Sequence, residues 1–183
     1  MTMTEMLPSR LHHTAYVTKD MEATRHFYED ILGLPLVATW CESDELWGKV
    51  RTYCHCFFGI GDGGALAFFQ FATKEDEELF VPDFPATPFV HLALNVTKDV
   101  QDEIERRIKL HNLEANYVLE HGYCRSVYVI DPNGMTVEFT HDDPRAAAGD
   151  AARKANAHAE LKRWLAGDWT SNNNFRSEEE QAA

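Results

Sequence analysis

Residues Arg125 to His141 read RSVYVIDPNGMTVEFTH: two runs rich in β-branched and aromatic side chains, with Asp131-Pro132-Asn133-Gly134 between them. The four middle residues are those a type I turn favours, so the stretch is predicted to be a β-hairpin. Strand side chains alternate, which sets Thr136, Glu138 and Thr140 on one face of the second strand and Met135, Val137 and Phe139 on the other. A single carboxylate therefore stands opposite an apolar face. On an ordinary half-exposed strand such a glutamate faces water. The rest of the chain gives it another possible task.

A chain of 183 residues can hold one domain of ordinary size or two small modules sharing a core. Its 44% apolar and 26% charged residues fit a folded protein. The formal net charge of -13, with no basic patch to offset it, argues against nucleic acid and acidic membranes as partners. The opening MTMTEMLPSR has no apolar core of signal-peptide length, and no run approaches a spanning helix. Cys41, Cys54, Cys56 and Cys124 form no C-x-x-C pair and are too sparse to staple the fold. A cytoplasmic protein is the expectation.

Outward from the hairpin, Leu11 to Thr18 is a strand candidate, followed by Asp20 as a helix cap, the apolar stripe Ala23, Phe27 and Ile31, and Gly33 as a stop. Pro35 to Ser43 and Thr52 to Ile60 are predicted strands, with a loop carrying Trp47 and Gly48 between them. Gly61 to Gly64 turns the chain into Ala65 to Ala72, where Leu66, Phe68 and Gln70 share a face. Residues 73–88, with an acidic cluster and Pro82, Pro85 and Pro88, read as a linker between a first module (1–72) and a second (89–141). Phe89 to Val96 is again a strand, and Asp99 again precedes an amphipathic helix with Val100, Ile104 and Ile108 on one stripe. Tyr117 to Cys124 and the hairpin complete that module. Residues 142–183 are predicted to form a helix over 145–166, packed on the domain or on another subunit, and a loosely ordered tail ending SEEEQAA.

The halves superimpose as sequences. His13-Thr-Ala-Tyr-Val-Thr-Lys-Asp20 matches His91-Leu-Ala-Leu-Asn-Val-Thr-Lys-Asp99 with one extra residue in the second copy, which argues for an internal repeat of one strand-helix-strands unit. Pseudo-equivalent strands across a local two-fold axis would bring His13 and His91 towards one centre. Glu138 and Gln70 lie on the last strands of their halves and can face the same centre. Two histidines and a carboxylate suit one face of an octahedral metal and leave positions open for ligands, which means catalysis rather than structure.

On LHHTAYVTKD with FYEDILG after it, on FVHLALNV and on RSVYVIDPNGMTVEF, the chain resembles the vicinal oxygen chelate superfamily over about residues 9 to 141. That superfamily holds glyoxalase I, fosfomycin-resistance enzymes, bleomycin-resistance proteins and extradiol dioxygenases. The resemblance implies an α+β fold of two βαβββ modules forming a cupped mixed sheet around a divalent metal, here with an added C-terminal helix. Carried over by motif, His13, His91 and Glu138 would be the ligands, with His12 a competitor on the opposite strand face. Gln70 falls on the fourth family position, as a ligand or a substrate contact. Tyr128, ten residues before Glu138, resembles the tyrosine that extradiol dioxygenases aim at the substrate oxygen. His121 lies near their acid–base histidine, and its ordinary pKa would suit removing a catechol proton. Arg125 can hold an anionic substrate or serve as an ion-pair partner.

The leading expectation is thus an extradiol-type dioxygenase acting with O2 on a catechol-like small molecule, with Fe(II) favoured over Mn, Zn, Ni or Co. A non-oxidative glyoxalase-like isomerase, epimerase or lyase is the alternative, and a metal-free binding protein the third. Either module arrangement is open: the chain can complete its site alone or as a homodimer. Cys54-His55-Cys56 reads as strand packing, His26, His111, His141 and His158 as solvated, and the Phe57, Phe58, Phe68, Phe69, Phe71 series as sheet core.

Overall fold

The computed structural model describes residues 7–84, 87, 89–113 and 115–176. The first six residues, Pro85, Pro88 and the closing SEEEQAA, all used in the sequence reading, lie outside the described residues. Two four-stranded mixed sheets with helices form an α+β fold. The first contains β1 (His13–Val17), β2 (Leu36–Leu46), β3 (Lys49–Gly59) and β4 (Ala65–Phe71), with α1 at Met21–Arg25 after β1. After α2 (Lys74–Phe80), the second follows the same plan: β5 (His91–Asn95), α3 (Lys98–Leu110), β6 (Ala115–Glu120), β7 (Cys124–Ile130) and β8 (Thr136–Asp142). Strand orders β1-β4-β3-β2 and β5-β8-β7-β6 coincide, so the repeat seen in sequence is a repeat of topology.

Local chemistry explains most element ends. Asp20 accepts from Ala23 N at 2.9 Å and starts α1, which runs on through a wider π-helical stretch, His26–Ile31. Gly33, at φ +84°, supplies the left-handed residue that ends it. Helix α3 is capped two residues earlier than expected: Thr97, not Asp99, accepts from Val100 N. Its inward stripe is accordingly Gln101, Ile104 and Ile108, with Val100 exposed. In the central hairpin, Asp131 Oδ1 accepts from Asn133 N (2.9 Å) and Met135 N (2.8 Å), which locks the turn.

In three places the structure differs in detail from the sequence reading. The segment Ser43 to Arg51 is not a loop, because Trp47 and Gly48 both take positive φ (51° and 75°), the requirement of a two-residue type I′ turn, and β2 and β3 pair right up to it. The linker contains α2, capped by Thr73 and held by buried Asp76, which pairs with Arg51 at 3.1 Å and Lys49 at 3.3 Å. The C-terminal helix is two helices, α4 (Pro144–Ala148) and α5 (Asp150–Leu165), broken at Gly149, and no described residue of α5 is buried.

One apolar cluster joins the modules. Phe27, Tyr28, Ile31, Phe58, Leu66 and Phe68 of the first half and Ile104, Ile108, Val127, Val137 and Phe139 of the second belong to it. The fully buried Tyr28 donates to Asp131 at 2.9 Å, tying α1 to the turn of the second hairpin. Each sheet therefore turns its helix-covered face to a shared core, and its other face away from it. Among the described residues no helix is long and apolar enough to cross a membrane.

Candidate metal and acid–base site

The outward face of the second sheet carries a cluster of titratable side chains. Side chains alternate along β8, so with Val137 and Phe139 in the core, Glu138 points the other way. It is only 6% exposed. His91 is on the same face of β5, and its Nε2 lies 2.9 Å from Glu138 Oε2. Tyr128 is the cross-strand partner of Glu138 on β7, and Tyr117 is the partner of Tyr128 on β6. Their rings stack at 4.5 Å, and the Tyr128 ring stands perpendicular to His91 at 5.7 Å. Burial and the neighbouring Glu138 carboxylate push the Tyr128 hydroxyl up to about 12, so it stays a proton donor through neutral pH. His121, just past β6, brings Nε2 to 3.4 Å from the Tyr128 hydroxyl. The Tyr117 hydroxyl is buried without a hydrogen-bond partner, a state that costs about 1–3 kcal/mol unless a ligand or water satisfies it.

The first sheet's outward face is different. His13 is there, with its Nδ1 2.7 Å from His12 Nδ1, and with the rings of His55 and Phe57 at 6.0 and 5.5 Å. His55 stacks on Phe69 at 3.6 Å. Burial and the nearby His13 push the His55 imidazole down to about 4, so it is neutral. The strand-packing reading fits this stack, and the packing is on the same side of the sheet as His13. Phe57, Phe69 and Phe71 likewise leave the core to Phe58 and Phe68, because they alternate with them.

Of the two arrangements left open, the structure does not show convergence within one chain. Among the described residues no three His, Cys, Asp or Glu side chains come together as a metal-holding group. His91 and Glu138 meet; His13 does not join them. The physical reason is the shared core: with both helical faces packed together, the two histidine faces look away from it.

Gln70 is also corrected. It shares its face with Leu66 and Phe68, on the helix side, where its Oε1 accepts from Met21 N (3.2 Å) and its Nε2 donates to Lys19 O (3.2 Å). It fastens the corner between β1 and α1. Strand register shows what does stand opposite to Glu138 in the repeat: His13 pairs with Ala65 as His91 pairs with Thr136, so Ala67 is the counterpart of Glu138. Arg125 is turned to α3, where it pairs with Glu105 at 2.7 Å and donates to Gln101, and it is not on the site face. His26 is paired with Asp30 at 2.9 Å rather than solvated alone.

Sequence reasoning did not single out Ala67 or Tyr117. For Ala67 and Gln70 the signal was present in the alternation, since Gln70 falls in phase with Leu66 and Phe68. Tyr117 could not be placed because a register shift between Ala115 and Tyr117 breaks the alternation just before it.

Comparison with known proteins agrees with this architecture. A family model described as Glyoxalase/Bleomycin resistance protein/Dioxygenase superfamily matches residues 10–139. Among solved structures, a glyoxalase/dioxygenase from Nostoc punctiforme is 26% identical (TM-score 0.51), the match covering 74% of this chain and 92% of that one. Glyoxalase I of Leishmania major superimposes with a TM-score of 0.55 at 18% identity, over 82% of this chain and 99% of that one. The fosfomycin resistance protein FosX of Listeria monocytogenes, solved with Mn(II) and 1S,2S-dihydroxypropylphosphonic acid, gives 0.54 at 18% identity, over 78% and 99%. No curated protein matches. With repeated topology, a histidine–glutamate pair on the face away from the core, and a family match over most of the chain, this protein belongs to the Glyoxalase/Bleomycin resistance protein/Dioxygenase superfamily.

Proposed function

We propose that the protein is a metal-dependent enzyme acting on a small molecule with two adjacent oxygens, that its reaction is extradiol-type cleavage of a catechol-like ring with O2, and that it works as a homodimer. The observation that carries this reading is the continuous polar chain His121, Tyr128, Glu138, His91: 3.4 Å from the His121 imidazole to the Tyr128 hydroxyl, Tyr128 directly across the strand from Glu138, and 2.9 Å from Glu138 to His91. An imidazole nitrogen and a carboxylate oxygen this close, beside a buried phenol, fit two of the three donors of a 2-His-1-carboxylate set. His13 of a second copy would be the third, which explains why a chain with all three residues does not assemble them by itself. Ala67 in the place equivalent to Glu138 and Gln70 turned to the helix favour the three-donor set over a four-ligand isomerase.

His91 and Glu138 would hold the metal, Fe(II) in preference to Mn, Zn, Ni or Co. When bound, such an ion supplies Lewis acidity towards adjacent oxygens and, as Fe(II), a route to O2. The chain's own residues do the rest. Tyr128, kept protonated, donates a hydrogen bond to a substrate oxygen and stabilises charge that develops there. His121 Nε2 accepts a proton from the substrate hydroxyl and can return it to the product. The stacked Tyr117 and Tyr128 rings form a flat wall suited to an aromatic ring, and the unpartnered Tyr117 hydroxyl gives a second polar contact. The four free cysteines fit work in a reducing compartment such as the cytoplasm.

The test is oxygen uptake by anaerobically purified, Fe(II)-loaded protein with catechol, 3-methylcatechol and protocatechuate. Ring cleavage consumes one O2 per substrate, and His91→Ala abolishes both uptake and metal retention. A non-oxidative relative of glyoxalase consumes no O2, and a binding protein keeps its ligand affinity in His91→Ala. Either result overturns the reading.

A further inference from the structure

The chain beyond α5 was expected to be a loose tail, yet the described part of it turns back to the site. The return is polar. Arg163 donates to Asp168 Oδ1 (2.9 Å) and to Thr170 O (2.8 Å), and Asn172 Nδ2 donates to Glu160 Oε2 (2.8 Å), so residues 168–172 lie along the helix they have just left. Residues 173–176 then reach the turn of His121, Gly122 and Tyr123. Asn173 Nδ2 donates to His121 O at 3.0 Å, and Asn173 Oδ1 accepts from Phe175 N at 3.1 Å. The Phe175 ring is 6.4 Å from that of Tyr123, and the Arg153 guanidinium lies over it, 5.7 Å from the ring centroid. Gly122 has φ +82°, and a Cβ on it would come within 2.8 Å of both Phe175 Cβ and Arg176 Cγ. A cavity of about 330 Å³, bordered by Tyr123, Asp142, Arg153 and Phe175, separates the arm from the domain elsewhere. The arm thus meets the turn at a few defined points.

That turn carries the group assigned as acid and base. His121 lies past the end of β6, and the glycine after it permits many backbone orientations. Its ring must nevertheless hold Nε2 towards the Tyr128 hydroxyl. The geometry points to Asn173 and Phe175 as positioning residues for His121: the C-terminal arm, through a side-chain amide on the His121 carbonyl, the Phe175 Cβ against Gly122 and the Phe175 ring beside Tyr123, fixes the imidazole against Tyr128. This deepens the acid–base reading above and rests on it. The effect is one of alignment, so it falls on turnover rather than on substrate affinity.

The experiment uses the full chain, Fe(II)-loaded, with catechol and O2. Asn173→Asp removes the donor to His121 O while retaining the acceptor for Phe175 N; Phe175→Ala removes the ring; Lys154→Ala, on the exposed side of α5, is the control. Both arm variants should lower kcat by about tenfold or more with KM for catechol nearly unchanged. The double variant Asn173→Asp/His121→Ala should be no slower than His121→Ala alone, because Asn173 acts through His121. Parental kcat in both arm variants, or losses that multiply in the double variant, overturns the proposal. If the parent does not turn over catechol, or His121→Ala matches it, the acid–base reading has failed instead. Positioning is then read without substrate, from the His121 ring 1H–13C resonance: it moves in Asn173→Asp and Phe175→Ala and not in Lys154→Ala if the arm holds the ring, and an unmoved resonance sinks the claim.

Discussion

The two modules share strand order and register and differ in what they show on the face away from the core. Where the second sheet has Glu138, the first has Ala67; where the second has Tyr128 across from it, the first has Phe57; where the second has Ser126, the first has His55. One face is polar and protonatable, the other an aromatic wall around His13. Backbone repetition has thus been kept while the outward-facing side chains have parted. The scaffold's requirements fall on the core-facing alternate residues, and those on the other face are free to specialise.

The sharpest way to break this contrast is to remove the carboxylate. Glu138→Gln should lower metal retention and oxygen uptake by more than about a hundredfold, whereas Ala67→Ser at the equivalent position should leave both near parental. Metal analysis after gel filtration and an oxygen electrode measure it, and equal effects at the two positions would erase the asymmetry. Next comes the division of donors between copies. His13→Ala and Glu138→Gln are each inactive, but an exchanged equimolar mixture should recover about a quarter of parental activity, since half the dimers are mixed and each has one intact site. No recovery, with exchange demonstrated by mass spectrometry, rules out a site shared between chains.

A third change probes the joint between modules. Tyr28→Phe removes the hydroxyl that donates to buried Asp131 and should cost about 1–3 kcal/mol in urea denaturation, without loss of metal binding. The smallest effect concerns α2, between the modules. The Thr73 hydroxyl, and then Lys49, hold the Asp76 carboxyl below its ordinary 3.8. A depressed folded-state pKa adds stability above the unfolded value, and this stability is lost as pH falls through the folded one. Asp76→Asn should therefore flatten the fall of Tm below about pH 4, and parallel Tm–pH curves for variant and parent would show that the Asp76 carboxylate contributes nothing.

The fold was largely legible because its signals are local. The hairpin at Asp131 to Gly134, the Asp20 cap, and the duplicated His-x-Ala and Val-Thr-Lys-Asp could be read from neighbours in sequence. The site was legible by halves. Glu138, His91, Tyr128 and His121 sit on one module, within reach of alternation and short spacing. His13 depends on how two modules pack, which no local pattern encodes: the same alternation is compatible with histidine faces turned together or apart. Gln70 is in phase with the core residues Leu66 and Phe68, a signal that alternation carried, although its partners Lys19 and Met21 lie about fifty residues away; of the two roles open to Arg125, the structure shows the ion pair, with Glu105. The arm on His121 was hidden because its composition, rich in asparagine, is that of a loop, and its contacts span about fifty residues of chain.

The single apolar cluster joining both helices carries an evolutionary corollary. Taken alone, either half would open a layer of aromatic and aliphatic side chains to water, so neither can be shed, traded or reshaped by itself. A duplication that once made two equal units has, by burying them against each other, become irreversible, and innovation is left to the surfaces that point outward.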